Sequence, residues 1–469
     1  MVILAHLLMK NTKMAKEEVM GKAKEKVAGK NQKKVMEKGE NVSRRGFIKG
    51  VGASLLAMQG LDMIVREAKA AVLTDRLTIE PDKYDAYPDW FPIWEDIEKI
   101  AKKEGALNVT AWGAPSAKHH FLQVCRNFEK KYGIKAGYFH GDWFAAQQKV
   151  LNDRKLGKLK GGDIDCIFLW GKPFANLLEG DGVWEVPALL IIPNGRKVPY
   201  RAEMGRFVHD MVPTYGTFVP HVQWQLHYLY NKKKYKRDQV PATVDGVLEW
   251  AKKHPGEFTY CDPHKGGSGH TWIMQLIYSI TGGYEKYAFK PFTLDKTKNW
   301  HILWDYLNEL EKYMYQPGIY PQGNKATAQL FEAGEVNFIP MWDTMMSDDI
   351  KAGSCDPGIV GMFVPEPALA SPCDGFTIPF NAAHKAAALV FLNYITSPEV
   401  QKQMVETVGS LPVVTEAWDL VSEEEKNMPY HPYKNLFEWR DLGTIYARHG
   451  KYMFHMMTEW IDKVAKRKA

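Results

Sequence analysis

Between residues 219 and 231 the chain reads V-P-H-V-Q-W-Q-L-H-Y-L-Y-N. Val222, Trp224, Leu226, Tyr228 and Tyr230 fall on one face of this run, and Gln223, Gln225, His227 and Leu229 on the other. A period of two in β-branched and aromatic residues predicts a strand. Pro220 and the basic run at 232–234 bound it. We read it as a strand that leaves one α/β unit and opens a second.

Upstream, the pattern alternates between helical and extended periods. Residues 94–104 repeat as an amphipathic helix and Gly105 stops it. A strand is predicted at 107–112, then a Gly-Ala-Pro-Ser loop, then a helix at 117–132. That helix places Phe121, Cys125, Phe128 and Tyr132 on its apolar side and ends at Gly133. A second strand follows at 135–139, with a helix running to 151. A third strand at 162–170 is apolar at its centre, as strands buried on both faces are. This β–loop–α order predicts a parallel sheet that contacts ligand at the carboxyl ends of its strands. Those ends are Trp112-Gly113, Asp142-Trp143 and Trp170-Gly171. Further on, 335–339 reads as a strand leading into Pro340-Met341-Trp342-Asp343-Thr344, and Asp374-Gly375 opens another strand.

Composition adds class and destination. The 469 residues can hold two or three ordinary domains, and 45% hydrophobic with 25% charged residues is globular. The net charge of +6 is carried by the front end. Residues 1–70 have 15 Lys/Arg against 7 Asp/Glu, and the remainder is close to neutral. No basic stripe with interleaved aromatics points to nucleic acid. Ser43-Arg44-Arg45-Gly46-Phe47-Ile48-Lys49 is a twin-arginine export motif. A short apolar stretch at 51–61 follows, and Ala68-Lys69-Ala70 offers a cleavage site. Residues 1–70 are therefore expected to be a signal peptide with a long basic leader, handled by the twin-arginine translocase and removed near Ala70 in the periplasm. No run is long and apolar enough for a transmembrane helix. The five cysteines are an odd number, so at least one thiol is left over, and Cys355 with Cys373 is the favoured pair.

Several runs then line up with one family. Trp94-x-x-Ile97-x-x-x-Ala101-Lys-Lys-Glu104-Gly105-x-Leu107-x-Val109 resembles the entry to the first strand of extracellular solute-binding proteins of ABC importers. Gly162-Asp163-Ile-Asp165-Cys-Ile is similar to their third strand. Leu229-Tyr230-Asn231-Lys232, Pro241-x-Thr243 with Val247-Leu248-x-x-Ala251, and Gly334-Glu335-Val336-Asn337-Phe338 resemble later blocks. So do 386–394 with Ser397-Pro398-Glu399-x-Gln401, and Gly409-Ser410-Leu411-Pro412-Val413. Seven weak matches in the right order make a strong one. The run Ala251-Lys-Lys-His-Pro255-Gly256-x-Phe258-Thr259-Tyr260 is similar to the YnjB-type subgroup, near the iron, thiamine and polyamine binders.

The resemblance implies an α/β type 2 periplasmic-binding fold of two lobes. Each lobe would be a mixed, mostly parallel sheet flanked by helices, and two crossover strands, 219–231 and 358–364, would join them. Lobe 1 would span 71–222 and return at 362–469 with the C-terminal helices; lobe 2 would span 223–361. The tail from 433, with Leu436, Trp439, Leu442 and Tyr446 at helical spacing, is expected to pack on lobe 1. Hinge closure would trap a small solute between the lobes. The implied partners are an ABC permease and its ATPase, and the protein would act as a monomer without cofactor.

The cleft candidates are Trp112, Gly113, Asp142, Trp143, Trp170, Gly171, Trp224, Trp342, Asp343 and Asp374. Ring faces attract cations and carboxylates complete the charge match, so the expected ligand is an organic cation of the thiamine or polyamine kind. A sugar stacked on the same rings is the rival. Ser268 and Gly269 join the set because glycines before a helix let backbone approach a ligand closely. The other reading of Ser268 is a helix cap. Cys261, His264 and His270 leave a metal open, although their spacing is not that of a closed site. A hydrolase using Asp142 and Asp343 as acid and base is the alternative of another class. No recognisable nucleophile motif accompanies them, and the resemblance to binding proteins over most of the chain implies no enzyme.

Overall fold

Asp374, far along the chain, opens a strand that lies between strands drawn from the first half of the protein, and this return organises the larger of the two main sheets. The computed structural model describes residues 93–198, 208–209, 212–287, 292–366, 373–432 and 450–466. The export motif at 43–49, the cleavage site at 68–70 and Leu436, Trp439, Leu442 and Tyr446 lie outside them.

The larger sheet contains β1 (Ala106–Ala111), β2 (Lys135–His140), β3 (Cys166–Leu169), β4 (Phe218–Gln223), β8 (Asp374–Thr377) and β9 (Leu411–Pro412). Their order across the sheet is β9-β4-β8-β3-β1-β2. The smaller sheet contains β5 (Leu226–Asn231), β6 (Phe338–Trp342) and β7 (Val360–Phe363), in the order β6-β5-β7. β1 pairs in parallel with β2 and β3. All other pairings in the two sheets are antiparallel. The larger sheet is thus mixed and the smaller one antiparallel, so the expectation of mostly parallel pairing fails. β1, β2 and β3 pair in parallel through the helical crossovers that parallel neighbours need, whereas β8 enters antiparallel to both of its neighbours.

Helices flank these strands. On the larger sheet they are α1 (Trp94–Glu104), α2 (Pro115–Tyr132), α3 (Trp143–Lys155) and α4 (Gly171–Glu179). The expected stops hold: Gly105 (φ 67°) and Gly133 (φ 69°) are left-handed and donate their N–H groups to Ala101 and Glu129. Around the smaller sheet lie α5 (Val247–Lys253), α6 (Gly267–Ile280), α7 (His301–Glu311), α8 (Asn324–Glu332) and α9 (Asp343–Lys351). The later chain supplies α10 (Lys385–Ile395), α11 (Pro398–Val408) and α12 (Gly450–Trp460).

Three sequence expectations change. The run at 219–231 is two strands, broken at Trp224-Gln225 so that β4 serves one sheet and β5 the other. The strand expected at 335–339 lies at Phe338–Trp342, because Glu335 and Val336 turn back to Leu330 and close α8 instead. The C-terminal helix packs on the small-sheet side, not the large. Tyr452, Met453, Met456 and Trp460 enter the apolar core that holds Trp272, Trp300 and Phe338. Trp460 Nε1 donates to Tyr260 Oη at 3.1 Å, and the Thr293 N–H donates to Tyr452 Oη at 3.1 Å.

The cysteine expectation also fails. All five are buried thiols. Cys355 sits in the core with Val360 and Tyr430, and Cys373 in the separate core with Phe376. Among the described residues, no helix is long and apolar enough to cross a membrane.

Two substitutions test this packing. Gly269 of α6 lies directly against the Cys261 carbonyl, where a Cβ would collide with backbone. Gly269→Ala is expected to destabilise by about 1–3 kcal/mol, read from urea unfolding. Trp460→Ala, which empties a fully packed ring site, is expected to cost about 3–5 kcal/mol in the same measurement. An unchanged midpoint would place α12 off the core.

Candidate functional site

A backbone that leaves one sheet for another strips its N–H and C=O groups of ladder partners at the break, and buried groups must find others. At Trp224-Gln225 the partners are two buried carboxylates and their neighbours. The Gln225 N–H donates to Asp343 Oδ2 at 3.2 Å, and the Asp343 N–H returns a longer bond of 3.4 Å to the Gln225 carbonyl. That carbonyl also lies 3.0 Å from His227 Nδ1. Asp343 Oδ1 accepts the Thr344 N–H at 2.8 Å. Trp224 Nε1 donates to Asp374 Oδ2 at 2.6 Å. Asp343 opens α9 and Asp374 opens β8, so elements of both sheets meet at one turn of chain. Asp343 is only 1% exposed, and burial drives its carboxyl well above the ordinary range, partly opposed by the N–H groups it accepts.

Aromatic rings gather around the same region. Trp224 is half-buried and packs against the cores of both sheets. Trp342, the last residue of β6, stands opposite Leu226 in register. Gly267 presses on its indole so closely that a Cβ there would sit 3.1 Å from Nε1. Trp170 precedes α4 of the large sheet yet packs against the core of the small one. Trp143 meets Trp170 edge-on, with ring centroids 5.7 Å apart. Phe144 beside it is half exposed. Trp112 is half-buried, its ring 5.8 Å from Phe168.

The remaining expected residues have other work. Asp142 is exposed and caps α3, accepting the Phe144 N–H at 2.8 Å. Gly113, at φ 138°, lets the chain turn from β1 into α2, and a Cβ there would strike Ala117. Gly171 is buried in the first turn of α4. Ser268 does not cap α6, which begins one residue earlier. It is wholly buried, and its Oγ donates to Asn324 Oδ1 at 2.8 Å. Gly269 is a packing contact. The three metal candidates turn to separate partners. Cys261 Sγ faces the Asp262 carbonyl, with burial pushing the thiol up to about 11. His264 Nε2 lies 2.7 Å from the Met457 carbonyl, and His270 Nδ1 lies 3.3 Å from that of Pro263. Among the described residues, no three His, Cys, Asp or Glu side chains are placed to hold a metal.

Sequence reasoning missed Gln225, whose backbone anchors Asp343, and the buried pair His120 and His221. Their Nε2 atoms lie 3.0 Å apart beneath β4, with Gln401 against His221. Burial lowers both, His221 to about 3. Two lone histidines 101 positions apart carry no spacing signal.

The fold of this chain recurs in known proteins. The chain is 25% identical over 315 residues to protein YnjB of Escherichia coli strain K12, covering 66% of this chain and 78% of that one. An ABC transporter structure from Clostridium perfringens superposes with a TM-score of 0.57 at 16% identity, covering 76% of this chain and 98% of that one. The spermidine/putrescine ABC transporter substrate-binding protein PotD of Streptococcus pneumoniae gives 0.54 at 16%, covering 76% and 99%. The fold is the type 2 periplasmic-binding fold, and such proteins bind solutes rather than transform them. With residues 123–430 matched by the model of the bacterial extracellular solute-binding proteins, well over half of its length, the chain belongs to that family.

Proposed function

We propose that the protein is the receptor subunit of an ABC importer and holds an organic cation of the thiamine or polyamine class between two lobes. Lobe 1 takes 71–222 and the return from 362, and lobe 2 takes 223–361 together with α12. The observation that carries the ligand class is the pair of buried carboxylates, Asp343 and Asp374, at the break beside Trp224 and Trp342. A desolvated cation over an indole face gains up to about 2 kcal/mol, and a carboxylate beside it supplies the neutralising charge. In this proposal Trp112 and Trp143 line the outer part of the site, while Asp142, Gly113, Gly171, Ser268 and Gly269 keep the structural roles described above. The likeness to a spermidine/putrescine receptor points the same way. Export by the twin-arginine route and docking of the loaded monomer on a permease and its ATPase complete the proposal.

The state of Asp343 gives the reading a sign. Its carboxyl is held above the ordinary range in the folded protein, so the folded state binds the proton more tightly than the unfolded one. Its contribution to stability is therefore present at low pH and is lost as pH rises from the unfolded value of about 3.9 through the folded one. Asp343→Asn removes this slope. The expected outcome is a variant whose stability relative to the parent improves as pH rises, read by urea unfolding from pH 4 to 8.

Ligand binding reads the same proton from the other side. A cation draws Asp343 into its ionised form, so affinity for spermidine or thiamine is expected to rise with pH across its titration and to fall at least about tenfold in Asp343→Asn, a loss of about 1.4 kcal/mol. Calorimetry and tryptophan fluorescence measure both. A sugar that stabilises the protein with no pH dependence would replace the cation with a neutral solute.

A further inference from the structure

Parallel strands bring their starting ends to one edge of a sheet, and the helix leading into each strand finishes there. The larger sheet does this at β1, β2 and β3. The Lys135 N–H donates to the Gly105 carbonyl at 2.9 Å and the Asp165 N–H to that of Asn108 at 2.9 Å, so the three strands begin side by side. α1 delivers Lys102 and Lys103 to this edge, α2 delivers Lys130 and Lys131, and α3 delivers Lys155. Lys135 starts β2, and Lys160 lies on the approach to β3. All seven are exposed. Among the described residues, no ion pair includes any of them. The acids nearby are mostly committed elsewhere. Glu104 accepts the N–H groups of Ala386 and Ala387, and Asp165 is wholly buried against Asn108 and His384. Asp163 pairs with Lys149 at 2.6 Å and lies 3.7 Å from Lys158. Glu129 is an exposed acid among the lysines. The edge is therefore positive although the chain beyond residue 70 is close to neutral, and its charges come from separate stretches, so they form no run in the sequence.

Two leucines stand at the same edge. Gly157, at φ 70°, turns the chain between α3 and β3, and Leu156 and Leu159 beside it are 83% and 59% exposed. A single exposed leucine is ordinary. Here two sit within Lys155-Leu156-Gly157-Lys158-Leu159-Lys160, an apolar tip between positive charges. Helix dipoles account for lysines in a last turn, but they give no reason to keep leucine in water. A soluble polyanion would satisfy the lysines and leave the leucines bare. An anionic bilayer meets both: its surface potential attracts a broad set of lysines, and its acyl boundary takes short apolar side chains. We propose that this end of the large sheet docks on an anionic lipid bilayer, with the lysines against headgroup phosphates and Leu156 and Leu159 entering the acyl boundary. The strand ends that carry Trp112, Trp143 and Trp170 lie at the opposite edge, so a molecule held this way keeps the proposed solute site clear of the membrane. The inference does not depend on which solute that site takes.

The five native thiols are buried, so in the full chain Leu156→Cys can be labelled selectively with a polarity-sensitive fluorophore. On vesicles of phosphatidylcholine and phosphatidylglycerol in equal parts, its emission is expected to shift to the blue, and added salt should reverse the shift. Phosphatidylcholine alone should give no shift. Ile319→Cys is the reference: Ile319 is 62% exposed, next to Tyr320 of the small-sheet core, and a label there should stay in water. Adding Lys130→Glu and Lys160→Glu to the labelled Leu156→Cys chain should weaken the vesicle titration at least about tenfold. Attachment through the basic residues 1–70 alone would leave Leu156 in water. Absence of a shift on the charged vesicles would therefore overturn the bilayer as the occupant and leave the face to an acidic protein surface. Equal shifts at positions 156 and 319, or an unchanged titration after charge reversal, would overturn it as well.

Discussion

The structure depends on how one stretch of backbone changes sheets without leaving its polar groups bare. Between β4 and β5 the chain gives up its ladder for two residues, in a place closed to bulk water. A buried carboxylate accepts the amide there, and a second anchors the indole next to it. Removing either acid would leave a desolvated donor, and a desolvated donor is among the costlier defects a protein can carry. The same economy makes the site. Charge that the joint already needs is charge that a ligand could use, so the region that connects the two sheets is also the one proposed to recognise the solute.

Asp343 illustrates the tension in this arrangement. The side chain is held by backbone amides, yet burial works against its ionised form. It is therefore too desolvated to rest comfortably as an anion alone, and in the proposed cation site an arriving positive charge is what would ionise it. The tryptophans around it supply an apolar surround that raises the electrostatic stake, because attraction between charges strengthens as the medium becomes less polar.

Much of this was legible in the amino-acid pattern, and what was not has physical reasons. The helices closed by Gly105 and Gly133 could be read because left-handed stops are local. The strand ends bearing Trp112, Trp143 and Trp170 followed from β–loop–α order alone. The break at Trp224-Gln225 was invisible, since both residues suit a continuous alternation and the bend is imposed by Asp343 and Asp374, more than a hundred positions away. Antiparallel pairing of β8 was hidden for the same reason: a strand inserted from a distance announces its direction only through its neighbours. Ser268 looked like a cap because a cap is the commoner use of serine before a helix, whereas its bond to Asn324 is a tertiary fact.

The helix at Gly450–Trp460 has a consequence for the order in which the molecule is made. Ribosomes deliver the three strands of the small sheet long before they deliver Trp460, whose ring seals the same core against Tyr260 and Tyr320. Until then that aromatic interior has an open side. The second half of the molecule thus finishes only after synthesis has passed it by, and a nascent chain must be kept from aggregating through that opening in the interval.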